Sequence, residues 1–351
     1  MLRRRGASEY PCEGSFPRLL TPEVTGIVEG MKRLVPWLLL SWLACAVLTA
    51  VQAAERVEQW TGRDLAEFRL STFRGQVTVE AAEDDILRVE VRAVASVADP
   101  ERAAAQLQDI RMIWATLGNW ATLDVSAPRE TGARFAWQAK DPLTLEIRVA
   151  LPALKNLQID SSDGAVRIGR ITADVNVKAR RGQVTSALVE GNLFVRVEEG
   201  GIVASRVTGD ADLRSEFGNV SAGTVGGRAR LFARNGDIEL LAAKCGIDAE
   251  SDGGNVAVSI TPALWQGSRI ESAGGNVTLK IDPSARINLD ASTSWGKIRD
   301  RSSVRTPLTL EILSGGLGGK QLGARLNYGG AEVQAHASGG DIDLVGAESL
   351  F

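Results

Sequence analysis

Apolar side chains in this chain recur on two scales. Within short stretches they occupy every second position, the signature of a strand with one buried face. The stretches themselves recur at a fixed spacing. Glycines fall at Gly164, Gly182, Gly200, Gly218, Gly236 and Gly254, each 18 residues apart, and then at Gly275 and Gly296, each 21 apart. Two residues after each glycine stands a β-branched aliphatic: Val166, Val184, Ile202, Val220, Ile238, Val256, Val277 and Ile298. Five before it are Ile159, Val177, Val195, Leu213, Leu231, Ala249 and Ile270, and three before it the residue is mostly small. A further apolar point follows seven after (Ile171, Val189, Val207, Val225), then a closing turn glycine (Gly191, Gly209, Gly227).

This pattern predicts a repeating unit of strand, glycine turn, strand, corner, short third strand and turn. No unit can bury its apolar face alone, so the units must stack, about 4.8 Å apart, with like residues above like. The expected fold is all-β: a single-stranded parallel β-helix, or β-solenoid, of about 18 residues per coil. Glycine at the corner would supply positive φ. The residue after it is often Asn219, Asp237, Asn255 or Asn276, so stacked amides are expected to form a ladder along that corner. The extra three residues after Gly254 and Gly275, the first set including Pro262 and Trp265, are expected as local bulges.

Flanking segments are less regular. Residues 55–153 hold alternating runs at Phe68–Thr72, Gln76–Glu80, Ile86–Val94 and Leu143–Leu151, with a short surface helix at Pro100–Met112; they read as an irregular, decorated first end of the same solenoid. Residues 154–300 are the regular coils. In 301–351 a Gly-rich loop around Ser314–Gly319 precedes a last coil, where Val333, Ala335, Ala337, Gly340, Ile342 and Leu344 restore the pattern.

The N-terminus has a different character. Met31-Lys32-Arg33 is followed by an apolar run, Leu34–Val51, and then Gln52-Ala53-Ala54. A basic start, an apolar stretch and small residues at a cut after Ala53 make 31–54 a signal peptide, with an uncleaved membrane anchor or a lipoprotein linked through Cys45 as alternatives. Residues 1–30 lack periodicity and read as a non-native or disordered extension upstream of a better start at Met31. The terminal Phe351 reads as an ordinary terminus.

Composition narrows the picture. Aromatics make up 5% of the chain, so the core must be aliphatic, and a net charge of −3 gives no pull toward nucleic acid. Beyond residue 54 the single cysteine is Cys245, expected as a small buried apolar residue; no intramolecular disulfide is then available. The single histidine, His336, points outward by its phase and is expected to be solvated; one His rules out a multi-His metal site, and no partnered nucleophile is recognisable from spacing. No cofactor is implied.

The outward columns mix signs, as in a salt-bridged sheet face. Asp248, Glu250 and Asp252, beside Arg230 and Arg234, form one acidic coil that could act as a carboxylate pair or cation site. Phe194 and Phe232 also point outward, with Arg196 and Arg214 nearby. An exposed aromatic–Arg patch has the composition of an interaction site.

The Gly-Asn-Val and Gly-Asp-Ile turns at 218–220, 236–238, 254–256 and 275–277, the phrase Val149-Ala150-Leu151-Pro152, and the ending Tyr328-Gly329-Gly330 … Ser338-Gly339-Gly340-Asp341-Ile342 together resemble the bacterial "putative adhesin" β-helix family. The resemblance covers roughly 65–351. It implies a right-handed β-helix and an exported, periplasmic or cell-surface location, and it supplies no catalytic residues. Bactofilin-like polymers stack similar coils but lack a signal peptide. The expected role is a non-enzymatic envelope protein that binds or scaffolds, with an envelope protein or a glycan as partner. The alternatives are a polysaccharide-active enzyme on the same solenoid, and a structural polymer that self-associates through its edge strands.

Overall fold

The computed structural model describes residues 53–96, 100–127, 143–303 and 306–347. The extension 1–30, nearly all of the signal segment including Cys45, and Phe351 lie outside them. Ala53 and Ala54 already belong to the first strand, β1 (Ala53–Arg63). Among the described residues no helix is long and apolar enough to cross a membrane.

After β1 come β2 (Glu67–Thr72), β3 (Gln76–Ala81), β4 (Ile86–Ser96), helix α1 (Pro100–Asp109), β5 (Arg111–Leu117), β6 (Trp120–Ser126) and β7 (Leu143–Leu151). The regular coils then supply strands in pairs: β8 (Asn156–Asp163) and β9 (Val166–Ile171), β10 (Asp174–Arg181) and β11 (Val184–Val189), β12 (Leu193–Glu199) and β13 (Ile202–Val207), β14 (Ala211–Phe217) and β15 (Val220–Val225). They continue as β16 (Ala229–Ala233) and β17 (Ile238–Ala243), β18 (Ile247–Ser251) and β19 (Val256–Ile260), β20 (Ser268–Ser272) and β21 (Val277–Ile281), β22 (Ile287–Thr293) and β23 (Ile298–Asp300). The chain ends with β24 (Leu310–Gly315), β25 (Gln321–Leu326), β26 (Ala331–Ala337) and β27 (Ile342–Gly346).

These strands build two sheets, one of 14 strands that takes the first strand of each coil and one of 13 that takes the second. Val175 lies opposite Leu193 and Leu193 opposite Ala211, in parallel, so like positions stack on like. The side chains between the sheets form one aliphatic core, with Leu157, Val175, Leu193, Leu213 and Ile247 all almost fully buried. Each such side chain contributes roughly 1.5–3 kcal/mol.

The expected third strand is absent: each coil has two. In β11 Val184, Ser186 and Val189 face inward, while Ala187 and Leu188 between them do not. Two successive non-inward residues bend the strand, so the apolar point seven after the glycine is the far end of the second strand. The expected positive φ holds at Gly164, Gly182, Gly200 and Gly218, while Gly236, Gly254, Gly275 and Gly296 lie outside the left-handed region, so the column as a whole has a steric reason instead. A Cβ on Gly200 would lie 2.1 Å from the Gly182 carbonyl oxygen, and one on Gly236 would lie 2.2 Å from that of Gly218. Stacked turns leave no room for a side chain.

The corner ladder forms mainly between side chains and backbone N–H groups, with one rung also joined side chain to side chain, Asn255 Nδ2 donating to Asp237 Oδ1 at 3.2 Å. Oδ1 of Asn219 accepts from the N–H of Asp237, Asp237 Oδ1 from Asn255, and Asn255 Oδ1 from Asn276, at 2.9, 2.7 and 2.9 Å. A second ladder, unnoticed in the sequence, lines the closing turn: Asp174 to Asn192, Asn192 to Asp210, Asp210 to Arg228. Inside the first corner, Ser251 and Ser272 donate to the carbonyls of Gly236 and Gly254 at 2.9 and 2.8 Å. Each also accepts from the glycine N–H three residues on, at 2.9 Å.

Both ends depart from sequential stacking. In the 14-stranded sheet β26 lies between β20 and β22, and in the other β27 lies between β21 and β23. The coil expected to be last is therefore inserted one rung inside, and the 287–300 coil lies beyond it. The extra residues after Gly275 fall in the β21–β22 link, which must climb two rungs instead of one. Those after Gly254 form the 261–267 loop, where Trp265 is exposed.

The Gly-rich stretch is the turn of an antiparallel hairpin, β24–β25, with β25 paired to β22. Its turn also pairs with the short end strand: Ile298 donates to Gly319 O and accepts from Gly318 N, at 3.0 and 2.7 Å.

At the other end β2 and β3 stack directly on β8 and β9, while the later β6 and β7 lie outside them. Here β1, β4 and β5 run antiparallel to their neighbours, so 55–153 combines coil and cap. The helix stops at Asp109, short of the expected Met112, because Met112 already belongs to β5. Leu107 and Ile110 are buried, and Arg56 of β1 donates to their carbonyls at 3.0 and 2.8 Å. This caps the helix end with a cation. Trp114 stacks on Trp60, ring centroids 6.3 Å apart, and packs on Phe68.

Candidate functional site

The outward face of the 14-stranded sheet carries the chemistry. Strand register sorts its side chains into columns. One runs Asn176, Phe194, Asp212, Arg230, Asp248, Arg269, Gln334 and Asp290. The next runs Lys178, Arg196, Arg214, Phe232, Glu250, Glu271, His336 and Ser292. The second changes character along its length: cations, then an aromatic, then carboxylates.

Phe232 and Leu231 line a hollow of about 330 Å³ with Asp212, Arg214, Arg230, Asp248, Glu250, Arg269 and Glu271. Most of these charges are matched. Arg214 donates to Asp212 at 2.7 Å, Arg269 bridges Glu271 at 2.8 Å, and Asp248 meets Arg228 at 3.0 Å. The hydrogen bond to Asp212 raises the Arg214 guanidinium above its ordinary value, and Glu271 does the same for Arg269. Glu250 makes no short ion pair among the described residues but adds to the field that raises Arg269; Arg196 makes no short ion pair there either.

The four residues singled out in the sequence do not share one hollow. Phe194, 42% exposed, lines a second one of about 270 Å³ with Trp120, Arg69, Gln158 and Asn176. Phe232 and Arg214 line the first, and Arg196 lines neither. The phase of each aromatic was readable from its distance to the turn glycine. Which column each occupies, and that Trp120 joins Phe194, depends on β6 returning outside β2.

The acidic coil is spread over ion pairs: Asp248 to Arg228, and Asp252 toward Arg234 at 4.0 Å. Among the described residues no three His, Cys, Asp or Glu side chains converge as metal ligands. Cys245, expected to be buried, is half buried at a closing turn, its Sγ 3.8 Å from Gly226 O.

His336, expected to be solvated, is part-buried and engaged on both ring nitrogens. Nδ1 is 3.0 Å from Ser292 Oγ and Nε2 is 3.1 Å from Ser338 Oγ. The Ser338 contact is local, two residues on, but Ser292 lies 44 residues away and reaches His336 only through the inserted coil.

A search of the curated proteins finds no match. Among solved structures, the chain is similar to a "putative adhesin" from Bacteroides fragilis (15% identity, 83% of this chain and 97% of that one, TM-score 0.40). It is also similar to a "putative lipid binding protein" from Parabacteroides distasonis (13%, 83% and 96%, TM-score 0.40) and a "putative cell adhesion protein" from Clostridium sporogenes (12%, 84% and 99%, TM-score 0.25). Residues 70–345 match Toastrack DUF4097. With that match extending from β2 to β27, the chain belongs to the Toastrack DUF4097 family.

Proposed function

We propose that this chain is an exported, adhesin-like envelope protein that binds an extended partner, a glycan or another envelope protein, along the outward face of the 14-stranded sheet. The role is binding or scaffolding without turnover, and the coils wind right-handed, as the family resemblance implies. The observation that carries the reading is the Phe232 hollow: an aromatic floor among largely paired charges. Paired charges fix donors and acceptors in place, and the aromatic supplies apolar contact at small entropic cost. The signal-like segment 31–54 supports export.

The test is capture of solubilised envelope components and envelope glycans by the protein and by a Phe194→Ser/Phe232→Ser double variant. Loss of capture with an unchanged melting curve is the expected result; undiminished capture overturns the reading. The single variants separate the two hollows. Protease shaving of intact cells then distinguishes the cell surface from the periplasm.

Self-association is a second reading, favoured by β24. This strand ends the 14-stranded sheet, and Ile312 and Leu313 on it are about half exposed. An apolar edge strand offers free backbone groups to another copy. Light scattering that rises with concentration, and is abolished by Ile312→Lys, would support it.

A further inference from the structure

The end of β22, the β24–β25 turn and His336 of the inserted β26 border a third, open hollow, about 660 Å³, at the C-terminal end of the same face. Its lining differs in kind from the Phe232 hollow. Hydroxyls of Ser292 and Ser294, the Gln321 amide, the His336 imidazole and the Lys320 ammonium line it, and no Asp or Glu does. Four carboxylates line the other. Lys320 has no carboxylate partner among the described residues; its Nζ donates to Ser294 O at 2.7 Å. It also stands 5.9 Å from the ring centroid of Trp295.

Trp295 is 84% exposed, an unusual position for an indole. Its neighbour Lys320 places a fixed positive charge at the ring. The nearest carboxylate in the His336 column, Glu271, is held by Arg269 at 2.8 Å. His336 contacts a serine hydroxyl with each ring nitrogen. In a neutral imidazole one nitrogen donates and the other accepts, so one of the two hydroxyls keeps its O–H free to donate outward.

We infer that this hollow is a binding site for an anionic saccharide unit. Trp295, which stands beside Lys320 and outside the lining itself, takes the apolar face of the sugar ring, Lys320 takes its carboxylate or sulfate, and Ser292 and Gln321 take ring hydroxyls. The inference rests on the glycan reading above and adds the charge class of the sugar and the end of the face that holds it. Sugar–indole contact supplies area without much entropy loss, while the ammonium selects for charge.

The test is calorimetric titration of the full chain with trigalacturonate, a sulfated trisaccharide and neutral maltotriose. The expected result is binding of at least one anionic sugar at least tenfold tighter than maltotriose. Trp295→Ala and Lys320→Met should each weaken it tenfold or more, with Trp265→Ala, which removes another exposed indole in the 261–267 loop, leaving it unchanged. Trigalacturonate or the sulfated sugar binding alone identifies which oxyanion the site takes and supports the inference. Equal affinity for maltotriose, or full affinity in Lys320→Met, overturns it. Saccharide binding lost in Phe232→Ser but kept in Trp295→Ala overturns this site while upholding the glycan reading. Absence of all saccharide binding, with envelope proteins still captured through Phe194 and Phe232, overturns this site and leaves the binding role intact.

Discussion

The backbone N–H of Asp341 donates to Asn276 Oδ1 at 2.8 Å across 65 residues of chain, and Asp341 Oδ1 then accepts from the N–H of Lys297 at 2.8 Å. One ladder thus runs through three coils in an order the chain does not follow. The coil at 287–300 is made first in sequence but meets its parallel partner only when 331–346 enters the gap below it. Until then β22 has the hairpin strand β25 alone as a described partner. A chain ending at Leu326 should keep hydrogen-exchange protection up to Ile281 and lose it over 287–326. Full protection of 287–326 in that truncation would show that the inserted coil is not what holds the end together.

The glycine column should be intolerant by position. Gly200 has φ +146°, and its added Cβ would meet the carbonyl below at 2.1 Å. Backbone strain of this kind costs about 1–3 kcal/mol, and the collision adds to it. Gly200→Ala should therefore lose about 3 kcal/mol. Gly316→Ala, with open space at its Cβ position, should stay within about 0.5 kcal/mol. Urea unfolding monitored by circular dichroism measures both, and equal midpoints would contradict the stacking argument.

The corner ladder should contribute rung by rung. Asn255→Ala removes the acceptor that holds the Asn276 N–H at 2.9 Å. The corner is exposed, so water can replace the lost bond, and the cost should be about 1 kcal/mol or less. Asn255→Asp keeps the acceptor oxygen but loses the amide's bond to Asp237 Oδ1 at 3.2 Å and sets two carboxylates side by side, so it should recover little stability. Amide exchange at Asn276 reports the bond directly: it should speed up in the alanine variant and stay near wild type in the aspartate one.

The N-terminal cap should depend on Trp114, which joins Trp60 to Phe68 where α1 and β1 close the core. Removing a buried Trp costs about 3–5 kcal/mol, and this one is half-buried. Trp114→Ala should lose about 2 kcal/mol, with exchange rising first in β1 and β5, and Trp114→Phe should recover most of it. Uniform destabilisation along the solenoid would argue against a local cap.

How much could be read in advance follows from where the information lies. The alternation around Val175, Val177 and Ala179, and its return 18 residues later at Leu193, Val195 and Val197, is local and repetitive. It dictates the strands, their buried faces and the stacking of like on like, because a one-residue slip would turn every apolar side chain to water. The outward phase of Phe194 and Phe232 came with it. The third strand is absent because Ala187 and Leu188 bend the second strand instead, and a bend and a chain break look alike in one dimension.

The sequence by itself therefore determined the all-β class, the repeating coil, the aliphatic core and the turn residues that stack without a side chain. All of these are set by neighbours within a coil or one coil away. Only the tertiary structure decided the order of the coils at both ends and the antiparallel caps. It also decided the separation of Phe194 from Phe232 and the meeting of Ser292, His336 and Lys320 in one hollow. Every coil presents the same apolar edge to the next. Periodicity says that coils stack, while loop lengths, the two-rung link after Gly275 and the closure of the exposed ends settle which coil lies on which.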